Sequence, residues 1–208
     1  MVVEDIPVFV TVRDRVTDLR GMVTWLEDAG QRNIVLLDNA STYPPCVSYL
    51  RAQGDRVTYL GANLGHHALF AADLVPEGRF FLSDPDLVFL GPHSGLQHLL
   101  DLAEMYPERD QIGFGLSLDG VPETLMHYRW EQSMWDASKE IAPGVFESPI
   151  DTTFAIYTRG SMGIWNALRT GPPHVMAHPS WLQTAENLTE ENAYYLAHRD
   201  PGPWQSWW

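Results

Sequence analysis

The chain has little that would cross-link it, carry it through a membrane or grip a polyanion. A single cysteine, Cys46, stands among 208 residues. No internal disulfide can form, which fits a reducing cytoplasm, the expected location. No run of about 18 or more apolar residues occurs, so no membrane span is expected. The opening MVVEDIPVFVTV lacks a positively charged start, an apolar run and a cleavage site, so no signal peptide is expected either. Positive charge is scarce: 13 Lys and Arg face 27 Asp and Glu, a formal net charge of −14. A nucleic-acid backbone needs a basic face, so nucleic acid is excluded as a partner. A small phosphorylated ligand held by a few cations or a metal is still compatible. There is no internal repeat, no low-complexity segment and no long linker before about residue 170.

What is present suits one domain over residues 1–208, since 45% of residues are hydrophobic and can form a sizeable core. Short β-rich runs alternate with helix-like stretches. Strands are expected over 6–12, 33–38, 56–60 and 79–84. Residues 17–29 place Leu19, Met22, Val23 and Leu26 on one helical face. Residues 44–54 have Pro at the start and Gly at the end, as a helix would. A third helix is expected over 63–74. Strand–helix alternation predicts an α/β fold with a mostly parallel sheet flanked by helices. IVLL and RFFL are continuously apolar, as strands covered on both faces should be.

Ligands in such sheets sit beyond the carboxyl ends of the strands. Arg13, Asp14 and Arg15 follow the first strand. Asp38, Asn39, Ser41 and Thr42 follow the second, Asn63 and Gly65 the third, and Asp84 and Asp86 the fourth. The last pair lies in FFLSDPDLVFL, between two apolar runs. One reading is a solvated turn, with Asp84 accepting local backbone bonds before Pro85. The other starts from repulsion: two carboxylates two residues apart need a cation or hydrogen bonds to compensate. Mg²⁺ or Mn²⁺ bound by carboxylates and phosphate oxygens would suit a nucleoside diphosphate.

The run PVFVTVRDRVTDLRGMVTWLEDAGQRNIVLLDNAST, then NLGHHAL, then FFLSDPDLVF, resembles the GT-A-fold glycosyltransferases, closest to bacterial family 2-like enzymes. The resemblance covers residues 6–90 well and the rest more loosely. It implies a Rossmann-like GT-A fold with a nucleotide-sugar-binding half (about 1–90) and an acceptor-binding half (about 91–208) that ends in a C-terminal arm. It implies that Asp38 contacts the base or ribose, that Arg13 or Arg15 lines the base or diphosphate end, that Asn63 precedes a ligand-facing helix, that Asp84 touches the ribose and that Asp86 ligates Mn²⁺ or Mg²⁺. Pro85 is a small departure from the family's D-x-D motif.

The second half should supply the acceptor side. Residues 112–120 read as a strand running into a loop with Asp119, and 125–140 as a helix carrying Trp130, Glu131, Met134 and Trp135. A Trp stripe at helical spacing reads as core or as a platform for a sugar ring. Asp151 precedes the apolar TTFAIY; it could cap the next element. The resemblance makes it the general base of an inverting enzyme, because an acceptor hydroxyl must lose its proton as it attacks the anomeric carbon. Glu131 and Asp119 are the reserves. His174 and His178 are four apart, but Pro172, Pro173 and Pro179 make a regular helix unfavourable there. The resemblance instead has His178 close the metal site, against a competing reading in which it packs beside Trp181. His66 or His67 could touch the diphosphate or donor sugar. Trp204, Trp207 and Trp208 would pack back on the domain, cover the acceptor cleft or meet another subunit or protein.

The expected function is metal-dependent transfer of a sugar from a nucleotide-sugar donor to a hydroxyl of a carbohydrate or glycoconjugate acceptor. The rivals are a sugar nucleotidyltransferase, a non-catalytic nucleotide-sugar or carbohydrate-binding subunit, and a metal-dependent hydrolase. The first usually needs a glycine-rich basic loop after strand one, which RDRVTDLRG lacks.

Overall fold

A computed structural model describes residues 2–150, 153–160 and 164–199. Asp151 and the three terminal tryptophans lie outside the described residues. The first half follows the expected alternation: β1 (Val8–Val12), α1 (Thr17–Asp28), β2 (Ile34–Asp38), α2 (Pro44–Ala52), β3 (Val57–Tyr59), α3 (Ala68–Ala71) and β4 (Phe80–Ser83). The helix expected over 63–74 is reduced to the single turn of α3. Gly61 and Gly65 adopt φ of 73° and 74°, outside the helical region. Asn39 also holds the backbone of Leu64 and Gly65.

Next come β5 (Val88–Phe89), α4 (Gly95–Met105), β6 (Gln111–Leu116), α5 (Met126–Met134), β7 (Glu140–Ala142), β8 (Val145–Glu147), β9 (Ala155–Tyr157), β10 (Ala167–Ala177) and α6 (Glu190–His198). The helix expected over 125–140 stops at Met134. Asp136 accepts the Ser138 N–H at 2.8 Å, a local bond that competes with helix continuation. Within α5, Met134 is buried while Trp130 is 48% exposed, so these two do not form a common core stripe.

The strands form one sheet in the order β3-β2-β1-β4-β9-β6-β10-β8-β7, with β5 paired to β10. β1 runs parallel to β2 and β4, and β6 parallel to β10; β9 runs antiparallel between β4 and β6. The carboxyl ends of β1, β2, β3, β4, β6 and β10 therefore share one edge. Alternate side chains serve opposite faces. Val8, Val10, Val12, Leu36, Phe81 and Ile112 join the larger core with α1, α2 and α4. Phe9, Leu37, Phe80 and Leu82 join the smaller one with Leu69 of α3. Cover on both faces is why these strands lack polar alternation.

β6 has glycine where neighbours come closest. A Cβ at Gly115 would stand 2.3 Å from the Thr170 carbonyl oxygen and 2.7 Å from Trp135 Nε1. Cys46 is fully buried, and burial pushes its thiol up to about 12, so it is a packing residue rather than a nucleophile. Among the described residues no helix is long and apolar enough to cross a membrane.

Candidate functional site

The loops after β1 and β2 interlock. Asp14 sits at φ 57°, a conformation aspartate tolerates better than most residues. Its carboxylate accepts the N–H groups of Thr42 (2.5 Å) and Tyr43 (2.6 Å), and its own N–H donates to Ser41 Oγ at 3.1 Å. Asp38, at the end of β2, accepts the Ser41 N–H at 2.9 Å. Asn39 donates to the Gly65 carbonyl (2.9 Å) and accepts the Leu64 N–H (2.6 Å), tying the 61–67 loop to the sheet. That loop carries Asn63, which is exposed and accepts the Gly65 N–H at 3.1 Å, and the adjoining rings of His66 and His67. Arg13 donates to the carbonyls of Asn39 and His198, each at 3.3 Å. Asp38, Asn63 and Arg13 thus share one edge. Asp14 and Asn39 build it, and sequence reasoning missed their part because their partners are backbone groups far along the chain. Thr11, at the end of β1, has a buried hydroxyl without a hydrogen-bond partner among the described residues.

Asp84 and Asp86 follow β4. Asp84 is half-buried; Asp86 is buried. The chain then turns into β5, which pairs antiparallel with the end of β10: Phe89 faces Met176 and Val88 faces Ala177. One step further along this register sets His178 opposite Leu87, beside Asp86. The side chains meet accordingly. His178 Nε2 is 3.9 Å from Asp86 Oδ2, and Ser180 Oγ donates to the same oxygen at 3.2 Å. Ser180 Oγ also lies 2.5 Å from His178 Nδ1. The segment holding His174 and His178 is the strand β10 up to Ala177, followed by a short turn over Pro179–Leu182. His174 stacks on His98 of α4, 3.9 Å between ring centres, and is not with His178.

Arg15 reaches the site as an interior group. It is 5% exposed, and its Nη1 contacts Asp86 Oδ2 at 3.4 Å and Asn192 Oδ1 at 2.9 Å. Its guanidinium carbon lies 4.3 Å from the centre of the Tyr195 ring. Arg15, expected at the base or diphosphate end, lies beneath α6 with its charge against Asp86. Burial alone would push the Asp86 carboxyl up. His178 and Arg15, with hydrogen bonds from the backbone and Ser180, together outweigh burial and hold it below the usual carboxylate range. Asp18, in the first turn of α1, moves the other way. Burial, reinforced by the charge of Asp86, raises it to about 6. Glu191 of α6 accepts the N–H groups of Val16 (2.9 Å) and Thr17 (3.1 Å), capping α1 from the far end of the chain.

The reserve bases separate. Glu131 is 1% exposed, ion-paired with Arg169 of β10, and accepts the Leu116 N–H at 2.9 Å. It is an interior pair joining α5, β6 and β10. Asp119 is exposed in the loop after β6, on the carboxyl edge.

Among the described residues no group of three or more His, Cys, Asp or Glu is arranged to hold a metal. Mg²⁺ and Mn²⁺ sites need fewer protein ligands when phosphate oxygens and waters complete them. An imidazole nitrogen and a carboxylate oxygen 3.9 Å apart can both reach one divalent cation through bonds of about 2.1 Å. A carboxylate–imidazole donor pair fits Mn²⁺ better than Mg²⁺.

No family model matches the chain, and no curated protein matches its sequence. Two solved structures of glucosyl-3-phosphoglycerate synthase from Mycobacterium tuberculosis are similar to it. One is in complex with Mn²⁺, uridine-diphosphate-glucose and phosphoglyceric acid, the other with phosphoglyceric acid. Each is 12% identical with a TM-score of 0.50, over 74% of this chain and 56% of that one. The chain thus spans little more than half the length of that protein. The likeness is one of fold: a GT-A-type α/β architecture with a central, mostly parallel sheet flanked by helices.

Proposed function

We propose that this protein is a metal-dependent glycosyltransferase, close in kind to bacterial family 2 enzymes. It would move a sugar from a nucleoside-diphosphate donor to a hydroxyl of a carbohydrate or glycoconjugate acceptor. The observation that carries the reading is the meeting of Asp86 and His178 at the carboxyl edge of a GT-A-type sheet, 3.9 Å apart. Fold alone would not license it; a carboxylate and an imidazole brought together from β4 and β10 add the chemistry.

In this reading residues 1–90 form the donor half and 91–208 the acceptor half of one domain. Asp38, Arg13 and Asn63 line the nucleoside end, and Asp84 faces the ribose. Asp86 and His178 hold Mn²⁺ or Mg²⁺, with Arg15 setting the charge of Asp86 from behind. The cation, when bound, neutralises the diphosphate as it leaves. Asp151 takes the acceptor's proton, with Asp119 in reserve; a carboxylate acting as base on the acceptor predicts inversion at the anomeric carbon.

The test is thermal unfolding of the native chain and Asp86→Ala against a panel of nucleoside diphosphates, each with and without Mn²⁺. A ligand that binds only the folded state raises the melting temperature. One diphosphate should stabilise the native chain strongly, only with Mn²⁺, and not the variant. No shift with any nucleotide would remove the reading's main support. Product analysis with and without acceptor then separates transfer from hydrolysis and from binding without turnover.

A further inference from the structure

We infer that Arg15 is a specificity-determining residue of this site: a fixed positive charge behind Asp86 that disfavours a bare divalent cation and admits one together with an anionic diphosphate. The inference rests on the functional reading above, in that it takes Asp86 as the cation's ligand.

The charge is permanent and held in place. A guanidinium does not lose its proton in a protein. Arg15 is 5% exposed. Its Nη1 donates to Asn192 Oδ1 at 2.9 Å, and its guanidinium carbon lies 4.3 Å from the centre of the Tyr195 ring. Both partners belong to α6, which is itself tied down. Glu191 accepts the N–H groups of Val16 (2.9 Å) and Thr17 (3.1 Å), the two residues after Arg15. Arg15 therefore keeps its place against Asp86 as long as α6 stays docked.

The charge is also close to where a cation would bind. Nη1 stands 3.4 Å from Asp86 Oδ2, the same oxygen that lies 3.9 Å from His178 Nε2. A cation bonded to that oxygen at about 2.1 Å could be no more than that much farther from Nη1. Like charges so near repel, and burial weakens screening by salt. Asp18 and Glu191 bring negative charge nearby. Neither forms an ion pair with Arg15 among the described residues, and Glu191 is engaged by α1. One carboxylate thus answers to two cations, and bare Mn²⁺ must share Asp86 with Arg15. A diphosphate brings negative oxygens of its own and restores the balance. Arg15 opposes the metal alone and tolerates the metal with its anion.

Electron paramagnetic resonance of free Mn²⁺, titrated with protein in the absence and presence of uridine, guanosine or thymidine diphosphate, tests this. Arg15→Met keeps a long buried side chain and removes the charge. It should bind Mn²⁺ alone at least about tenfold more tightly than wild type. With the diphosphate that wild type takes up, the gain should disappear. Arg15→Lys keeps the charge and should bind Mn²⁺ alone as weakly as wild type. Asn192→Asp is a second route that leaves Arg15 in place. It pairs the guanidinium with a new carboxylate in the first turn of α6, where an acid suits the helix. It too should strengthen binding of Mn²⁺ alone. Adding Asp86→Ala to either variant should remove the gain. If wild type binds Mn²⁺ with a diphosphate but neither Arg15→Met nor Asn192→Asp gains affinity for Mn²⁺ alone, this inference is overturned and the functional reading stands. An equal gain with and without diphosphate overturns it as well. If wild type takes up no Mn²⁺ with any of the three diphosphates, the functional reading fails and the inference falls with it.

Discussion

The two halves of the sheet treat their buried carboxylates in opposite ways. From β1 to β4, Asp14 and Asp38 spend theirs on backbone N–H groups, and so shape loops. From β6 to β10, Glu131 is matched mainly by a side chain, the buried Arg169. Loop-building acids leave an edge that can face a ligand, whereas a sealed ion pair leaves nothing to offer. Asp86 belongs to neither kind. Its partners Arg15, His178 and Ser180 are side chains drawn from both halves. Under the proposed function, that mixed shell is what an added cation would join.

The largest effect should come from breaking the sealed pair. Glu131→Ala strands Arg169 in the core and should cost about 3–5 kcal/mol in urea unfolding. Replacing both partners, Glu131→Leu with Arg169→Met, should cost much less. Equal losses would mean that the pair does not hold charge as the contrast requires. Next, Asp86→Ala should lower kcat/KM for sugar transfer by at least about 100-fold with saturating Mn²⁺. If activity survives, the carboxylate joining the two halves is not at the reaction centre.

Smaller changes sharpen the contrast. Asn39→Ala removes both bonds to the 61–67 loop and should cost about 1–3 kcal/mol. Amide exchange should quicken at Leu64 and Gly65, and core strands should be spared.

The smallest effects are those of pH. Burial lowers the imidazoles of His98 and His174 from the ordinary 6.5, His174 adding to the effect at His98. The folded form thus holds these protons less tightly than the unfolded chain. The stability that depends on neutral rings is present above about 6.5 and drains as pH falls below it. The urea midpoint should drop between pH 7.5 and 5.5, and less so in His98→Gln. Asp18 has the opposite sign. Raised from 3.8 to about 6, it favours folding below 3.8, and that contribution is lost as pH rises through 6. Asp18→Asn should therefore stabilise at pH 8 and give no gain near pH 4.

The α/β alternation was legible because its signals are local. The apolar face of 17–29, the Pro-to-Gly span of 44–54 and the continuous runs IVLL and RFFL each act within a few residues, and α1, α2, β2 and β4 follow them. The 63–74 helix failed where a distant side chain, Asn39, took hold of the loop. Glu131 read as a spare base because nothing near it in the chain reveals Arg169, 38 residues on. Arg15 read as a ligand-facing cation because Asn192, 177 residues away, is invisible from the strand end.

By itself the sequence determined the strand and helix order, the apolar strands buried on two faces, and the gathering of Asp38, Asp84 and Asp86 at strand ends. Periodicity and turn chemistry act over a few residues and need no partner. The resemblance anticipated that Asp86 and His178 share a site; tertiary structure alone brought Ser180 and Arg15 to that carboxylate. That meeting depends on one antiparallel register between β5 and β10, and on a serine 94 positions from the carboxylate it touches. The apolar pattern of each strand limits its register, but which two distant strands pair is not written in either one.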